Sequence, residues 1–437
     1  MTSLLHPKLA VCIAFCGMTH AAEKPLNFIL IMADDLGHEA ITCNGGESYK
    51  TPNLDKMAAE GMRFEHCYSQ PICTPTRVQI MTGLYNDRNY TKFGVLRRGE
   101  TTFAHLLKEK GYATAIAGKW QLGKEKDSPQ HFGFEESLLW QHTRGRIKTG
   151  MDKKYDSRFE NPWLERNGRE LNFDNGEYGP DLCTDFVCDF IDNNKDKPFL
   201  VYYPMILTHC PLWPVPGGQD WNPKSKGCPS YKGDAKYFGD MVHYMDKLVG
   251  RIVAQVEKNG LSDNTVIIFT GDNGTDRPVV SKWRGINVAG FKGQTIDDGC
   301  RVPLVIHAPG LKGKGVSQDL VNFSDVLPTL CDLAQIDISK RKEPFDGQSF
   351  APQLRGDKAT PRDYSFCWYS RSGDIKKELK VFARTQRYKL YRDGSFFDIE
   401  NDRFEKTKLG DEITDEQKAV KDKLQAVLDR RLKEVGR

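Results

Sequence analysis

Residues 27–37 read NFILIMADDLG, an apolar run from Phe28 to Ala33 that breaks directly into Asp34 and Asp35. A strand with one wet face alternates apolar and polar residues, whereas an unbroken run of this length marks a strand covered on both faces, as in a parallel sheet packed between helices. Three further stretches repeat the layout. Residues 112–117 (YATAIA) run into Gly118, Lys119 and Trp120; residues 199–203 (FLVYY) lead to Thr208 and His209; residues 265–270 (TVIIFT) end at Gly271, Asp272, Asn273 and Gly274. Between them, residues 101–110 (TTFAHLLKEK) predict a helix with capping threonines at its start and Gly111 at its end. Residues 234–259 place Met241, Met245, Leu248, Ile252 and Val256 at helical spacing before Gly260, a stripe suited to the core. The chain therefore reads as α/β, with a large mixed, mostly parallel sheet sandwiched by helices. Ligands of such sheets bind outside the carboxyl ends of the strands, which is where the carboxylates, the amide, the lysine and the histidine fall.

With 437 residues, 39% apolar and 28% charged, the chain can fill one large domain and a smaller one. Its 63 basic and 59 acidic residues are spread throughout, and no basic run suits nucleic acid. The start carries Lys8, an apolar stretch from Leu9 to Met18 and the small pair Ala21 and Ala22, the layout of a secretory signal peptide over residues 1–22. That stretch is about half of the roughly 20 apolar residues that a membrane anchor needs. The expectation is an exported protein, periplasmic or secreted, without a transmembrane anchor. Residues 23–359 read as the main domain. Beyond them, residues 381–385 and 388–392 predict strands with an Asp393-Gly394 hairpin turn, and residues 415–435 a helix with Val420, Leu424, Leu428 and Leu432 on one face. Residues 360–437 thus read as a smaller α+β subdomain. Of 12 cysteines, Cys12 and Cys16 fall in the leader. The rest form no CxxC pair, which argues against structural zinc; export permits disulfides, but the spacing assigns no pairing.

The strand-end residues have a chemistry in common. Asp34, Asp35, Asp272 and Asn273 are hard oxygen ligands that suit Ca²⁺ or Mg²⁺ better than zinc, and adjacent carboxylates repel unless a cation offsets them. Taken singly, either cluster also fits an acidic turn with helix-capping aspartates. Arg77, Lys119 and Lys292 offer positive charge to a tetrahedral anion, the arginine through its planar fork and the lysines as point charges. Glycines flank both lysines, at Gly118 and at Gly290 and Gly293. His209, in the segment THCP, is a candidate general acid for a leaving alcohol. Residues 73–77 read CTPTR and make Cys73 the candidate centre of the chemistry.

CTPTR fits CxPxR and resembles the signature of the type I sulfatases, members of the alkaline phosphatase-like superfamily. The resemblance extends in order through NFILIMADDLG at 27–37, GKWQLG at 118–123, THCP, FTGDNG at 269–274, GFKG at 290–293, RVPLVIHAPG at 301–310, FSDVLPTL at 323–330 and FDGQSF at 345–350. It implies an alkaline phosphatase-like sheet and a sulfuric ester hydrolase whose Cys73 is oxidised by a formylglycine-generating or other maturation enzyme to Cα-formylglycine. It further implies Asp34, Asp35, Asp272 and Asn273, with the modified Cys73, as Ca²⁺ ligands. Arg77 would stabilise nucleophile and metal, Lys119 and Lys292 would hold sulfate oxygens, and His209 would assist the leaving group. One hydroxyl of the aldehyde hydrate attacks sulfur, and the other then expels sulfate. One departure stands out: Gln121 occupies a place where many members have histidine, and glutamine cannot titrate near neutrality. The base for sulfate elimination is therefore unassigned, with His142 a local substitute.

The substrate expected on this resemblance is a sulfated carbohydrate, with Trp213, Trp221, Trp283 and Arg284 as candidates to contact sugar rings. Residues 121–180 and 210–233 carry no motif and are expected to hold the specificity. Two other activities share the fold: a phosphate or phosphonate monoester hydrolase, and a silent sulfate-ester binder in which Cys73 stays a thiol.

Overall fold

The computed structural model describes residues 24–143, 158–341 and 344–434; the signal peptide read at 1–22 lies outside them. A central sheet takes β1 (Asn27–Ala33), β2 (Met62–Tyr68), β3 (Ala113–Lys119), β4 (Glu136–Trp140), β5 (Leu164–Arg166), β6 (Arg169–Leu171), β7 (Phe199–Pro204) and β8 (Thr265–Gly271). A hairpin of β9 (Val280–Trp283) and β10 (Ile286–Ala289) stands apart, and β11 (Leu304–His307) and β12 (Gly315–Asn322) rejoin the sheet. The ten strands lie in the order β12-β2-β11-β8-β1-β7-β3-β4-β5-β6. Strands β8, β1, β7, β3 and β4 pair in parallel, as do β12 and β2, while β11 and β5 run against their neighbours. The sheet is mixed and mostly parallel, as the apolar runs predict.

Burial on both faces explains why those runs do not alternate. Every residue of β1, β3, β7 and β8 is buried. Phe28, Leu30 and Met32 enter one hydrophobic cluster, and Ile29, Ile31 and Ala33 enter another on the opposite face. The first cluster is closed by the helices Cys73–Thr82, Phe103–Glu109, Val326–Leu333 and Asp415–Glu434. The second is closed by Pro52–Glu60, Gly179–Asn193 and Phe238–Lys258, whose stripe Met241, Met245, Leu248, Ile252 and Val256 is core throughout. At the start of Phe103–Glu109, the Thr102 hydroxyl accepts from the His105 backbone N–H, and the His105 ring reaches back to the Thr102 N–H. That reciprocal cap satisfies two donors that a helix start otherwise leaves open.

Strands β2, β11 and β12 have no counterpart among the sequence-predicted elements. β2 interleaves Arg63, Glu65 and His66 with apolar residues, which hides a strand whose polar groups meet an ion-pair network instead of water. The C-terminal segment forms a four-stranded antiparallel sheet of β13 (Ser365–Tyr369), β14 (Lys380–Arg384), β15 (Tyr388–Tyr391) and β16 (Phe396–Asp398). Its first strand also went unpredicted. The terminal helix buries Leu424 and Leu428 and half-buries Val420 and Leu432. Cys43, Cys67, Cys73, Cys183, Cys188, Cys210, Cys228, Cys300, Cys331 and Cys367 are free thiols. Among the described residues, no helix is long and apolar enough to cross a membrane.

Arg431 ties the terminal helix to the body. Its guanidinium donates to both Asp87 oxygens at 2.8 Å and to Asp346 Oδ1 at 2.9 Å, in a site where the Arg431 and Asp87 side chains are 8% and 1% exposed. Removing one partner of a buried pair strands the other's charge. Arg431→Ala is therefore expected to cost about 3–5 kcal/mol of unfolding free energy in urea titration. A loss below about 1 kcal/mol would place this pair in the class of solvated surface bridges.

Candidate active site

Parallel pairing brings the ends of β1 and β8 level, with Ala33 opposite Gly271, so the next residues, Asp34 and Asp272, emerge side by side. The segment after β7 follows the same edge: Asp34 N–H donates to Leu207 O, and Thr208 N–H to Asp34 O, each at 2.8 Å. Asp35 turns there in the left-handed region, φ 63°, which aspartate tolerates better than most residues. Its N–H donates to Asp272 Oδ1 and its Oδ1 accepts from Asn273 Nδ2, both at 2.9 Å. Asp34, Asp35, Asp272 and Asn273 are all fully buried. Ligand-type atoms of Asp34, Asp35 and His209 lie within 4.8 Å of one another.

Three buried carboxylates perturb one another. Burial, with Asp34 beside it, pushes Asp272 up to about 7. Asp35 is also raised by burial, against the pull of Lys292. Asp34 is lowered, because Lys119, Arg77 and Lys292 together outweigh its burial. Lys119 Nζ lies 2.6 Å from Asp34 Oδ2, and Lys292 Nζ is ion-paired to Asp35 Oδ2. Even so, Asp34 Oδ1 and Asn273 Oδ1 are buried with no hydrogen-bond donor among the described residues. Unsatisfied oxygens beside mutually repelling carboxylates are the donor set that a hard divalent cation satisfies, so these residues fit Ca²⁺.

Cys73 opens the helix Cys73–Thr82, in which all ten residues are buried. Pro75 falls within the first turn, where a missing N–H costs nothing. The Thr76 hydroxyl, 3.0 Å from Ile72 O and 3.2 Å from Gln70 O, locks the entry. One turn on, Arg77 donates to Asp272 Oδ2 at 3.2 Å and to Lys119 O at 2.9 Å. This arginine therefore fixes a carboxylate and the end of β3, while burial pushes the Cys73 thiol up. Lys119 is aimed by its neighbour: Gly118 has φ 99°, and a Cβ there would sit 2.2 Å from Pro204 O. Only glycine lets β3 and β7 close at this point.

Cys73, Lys119, His209 and Lys292 line one cavity of about 760 Å³, with Arg77 and the carboxylates buried beneath it. His209 Nε2 is 3.7 Å from Asp35 Oδ2, and its Nδ1 faces Cys210 O and the Arg158 guanidinium. Burial, then Lys292, Arg158 and Lys119, hold its pKa well below the usual imidazole value. Gln121 and His142 line the same cavity, and His142 Nε2 has no partner among the described residues.

A model of the sulfatase family matches residues 26–336, and one for the C-terminal part of N-sulphoglucosamine sulphohydrolase matches 292–435. Human arylsulfatase A is 31% identical over 408 residues, covering 85% of this chain and 75% of that protein. The chain belongs to the sulfatase family. Mouse N-acetylgalactosamine-6-sulfatase is 30% identical, covering 75% of the chain and 66% of that protein. Among solved structures, Ps i-CgsB in complex with k-i-k-neocarrahexaose superposes with a TM-score of 0.73 at 25% identity, over 93% of this chain and 92% of that one. The protein is an enzyme of this class, a sulfuric ester hydrolase with the alkaline phosphatase-like fold.

In this sulfatase the tryptophans singled out for sugar contact lie elsewhere. Trp213 donates to Glu160 Oε1 at 2.6 Å, and Trp221 packs edge-on against Tyr178. Trp283 and Arg284 line a separate cleft of about 900 Å³ walled by β2 and the C-terminal segment. Each is held by its own packing: Trp283 Nε1 donates to Asn44 O, and the Arg284 guanidinium stacks on the Trp283 ring while pairing with Glu65. The aromatic residues that do line the sulfatase cavity include Phe93, Trp140 and Tyr231. Lys124, Trp140, Arg158 and Tyr231 come from the stretches 121–180 and 210–233, of which 144–157 lie outside the described residues. Lys92, Phe93 and Arg371 come from segments without a motif, and single loop residues leave no periodic signal to find.

Proposed function

We propose that this sulfatase removes sulfate from a sulfated carbohydrate, with Cys73 in its formylglycine form and Ca²⁺ held by Asp34, Asp35, Asp272, Asn273 and the modified Cys73. The observation that carries the reading is the convergence of three buried carboxylates and two unsatisfied buried oxygens beneath a cavity that Cys73, Lys119 and Lys292 line. When bound, the cation supplies a Lewis acid for the S–O bonds, and the modified residue supplies an oxygen nucleophile in place of a thiol. The chain's own groups do the rest. Arg77 orients Asp272 and the end of β3. Lys119 and Lys292 stabilise negative charge on the sulfate oxygens. His209 stands on the leaving-group side, where the negative charge of a bound sulfate ester favours its protonated form. Gln121 can hydrogen-bond but not titrate, so His142, with its free Nε2, is the candidate base for sulfate elimination.

A carbohydrate is favoured over a simple aryl sulfate by the cavity, whose volume of about 760 Å³ and aromatic lining exceed the needs of one ring. The relatives that act on, or bind, saccharides point the same way. The signal peptide layout at 1–22 supports a location outside the cytoplasm, and the conversion of Cys73 to formylglycine calls for a maturation enzyme as partner.

Two measurements test this. Mass spectrometry of the tryptic peptide containing Cys73, from cells that carry a maturation system, is expected to reveal the aldehyde in part or all of the protein. Unmodified thiol alone would favour a silent binder. Aryl sulfate is expected to be turned over faster than aryl phosphate; the reverse order would make the enzyme a phosphate or phosphonate monoester hydrolase.

A further inference from the structure

Six cationic side chains line the cavity that holds Cys73, against one acidic one: Lys92, Lys119, Lys124, Arg158, Lys292 and Arg371 against Glu125. Lys119 and Lys292 are paired with Asp34 and Asp35, and Arg158 contacts His209 and Cys210. Lys92, Lys124 and Arg371 are exposed and make no ion pair among the described residues. A sulfate monoester carries a single negative charge, which the two lysines of the floor already answer. Three more cations at the mouth exceed what a monoanionic substrate requires, and a cleft lined by one sign of charge concentrates the opposite sign.

The wall that carries two of them is a built structure. The Tyr90 hydroxyl donates to Arg371 O at 2.9 Å, joining segments 281 residues apart. A Cβ on Gly373 would lie 2.1 Å from Thr91 O, so the two loops meet backbone to backbone. Gly94 N–H donates to Thr74 Oγ1 at 3.3 Å, beside Cys73. Lys92 and Arg371 thus share one wall, fastened to the helix that Cys73 opens. Phe93 stands in it with 38% of its surface exposed, and Tyr231, 42% exposed, packs its ring 6.3 Å from that of His209. Accessible aromatic faces next to unpaired cations suit a ring with a charged substituent.

Resting on the reading of this site as a carbohydrate sulfatase, we infer that Lys92, Lys124 and Arg371 bind a second anionic group of the substrate. That group is a carboxylate or a further sulfate on the sugar next to the one that loses its sulfate, and Phe93 and Tyr231 flank that sugar. The substrate is a polyanionic oligosaccharide.

The test measures binding without turnover, in Cys73→Ala and, as a second background, Cys73→Ser. Sulfated disaccharides are titrated calorimetrically, each beside a derivative without its second anion: in one arm a uronate reduced to the alcohol, in the other the second sulfate left out. At least one disaccharide is expected to bind at least tenfold more tightly than its derivative, with the arm identifying the anion. Adding Lys92→Ala, Lys124→Ala and Arg371→Ala together is expected to erase that difference, and added NaCl to narrow it. Equal binding within every pair, a tenfold difference that survives the triple substitution, or no binding by any disaccharide overturns the inference. Sulfate release from an aryl sulfate by the matured enzyme, assayed in parallel, reports on the chemistry alone, so the two can fail separately.

Discussion

Cys73→Ala is expected to abolish turnover, lowering kcat by roughly 10⁶-fold, the size of loss known for removal of a covalent nucleophile. On the proposed mechanism, alanine leaves nothing to oxidise to the aldehyde. Ser69, the nearest serine upstream in the chain, has its hydroxyl engaged with the backbone oxygens of Gln70 and Cys300. The fold should be nearly unaffected. Cys73 sits at a helix start in a small cluster with Tyr68, Ile72 and Cys367, and losing one sulfur atom there costs on the order of 1 kcal/mol. The check is a steady-state assay on aryl sulfate beside a thermal melt of the same preparation. Activity retained within tenfold of the matured enzyme would show that the nucleophile lies elsewhere.

Metal removal is expected to have the second-largest effect. With the cation stripped by a chelator, Asp34, Asp35 and Asp272 face one another with only Lys119, Lys292 and Arg77 to balance them. Activity should be lost and return with Ca²⁺ more fully than with Mg²⁺, because a flexible all-oxygen set suits the larger ion. Stability should follow by mass action: Ca²⁺ at 100 times its Kd adds about 2.7 kcal/mol to the folded state. Asn273→Ala separates this effect from simple charge balance. It deletes a ligand oxygen without changing charge, and the lost hydrogen bond to Asp35 costs about 1 kcal/mol in the metal-free protein. Its Ca²⁺-induced rise in Tm should be smaller than that of the parent. An equal rise would remove Asn273 from the ligand set, and full activity in chelator would overturn the metal reading.

Much of this site was legible because Asp34, Lys119, His209 and Asp272 each follow closely on a strand whose burial is written locally, while Cys73, Arg77 and Lys292 stand in the short segments CTPTR and GFKG. Asp34, Lys119 and Asp272 stand at or one position beyond the ends of β1, β3 and β8, so the apolar runs point straight at them. His209 was harder, five residues past β7, yet the run 199–203 still marks its strand. Strand β2 was illegible because Glu65 pairs both with Arg63 beside it and with Arg301, a partner more than two hundred positions away in the chain. Trp283 and Arg284 misled for a related reason. Aromatic and guanidinium groups have the same composition whether they hold a sugar or each other, and here Arg284 lies over the Trp283 ring at 4.6 Å.

By itself the sequence determined the family, the parallel core of the sheet and the polar residues that gather at its strand ends, since these depend on hydrophobic runs, on short motifs and on side chains within a few positions of a strand end. Only the tertiary structure decided what surrounds that centre. Arg371 reaches Cys73's cavity because the C-terminal segment packs against the loop after Tyr90, and Arg158 does so because it stacks over Trp140 at 4.3 Å. Contacts of that kind join loops with no periodicity of their own, so they are specified by the packing of the whole chain and by no local pattern within it.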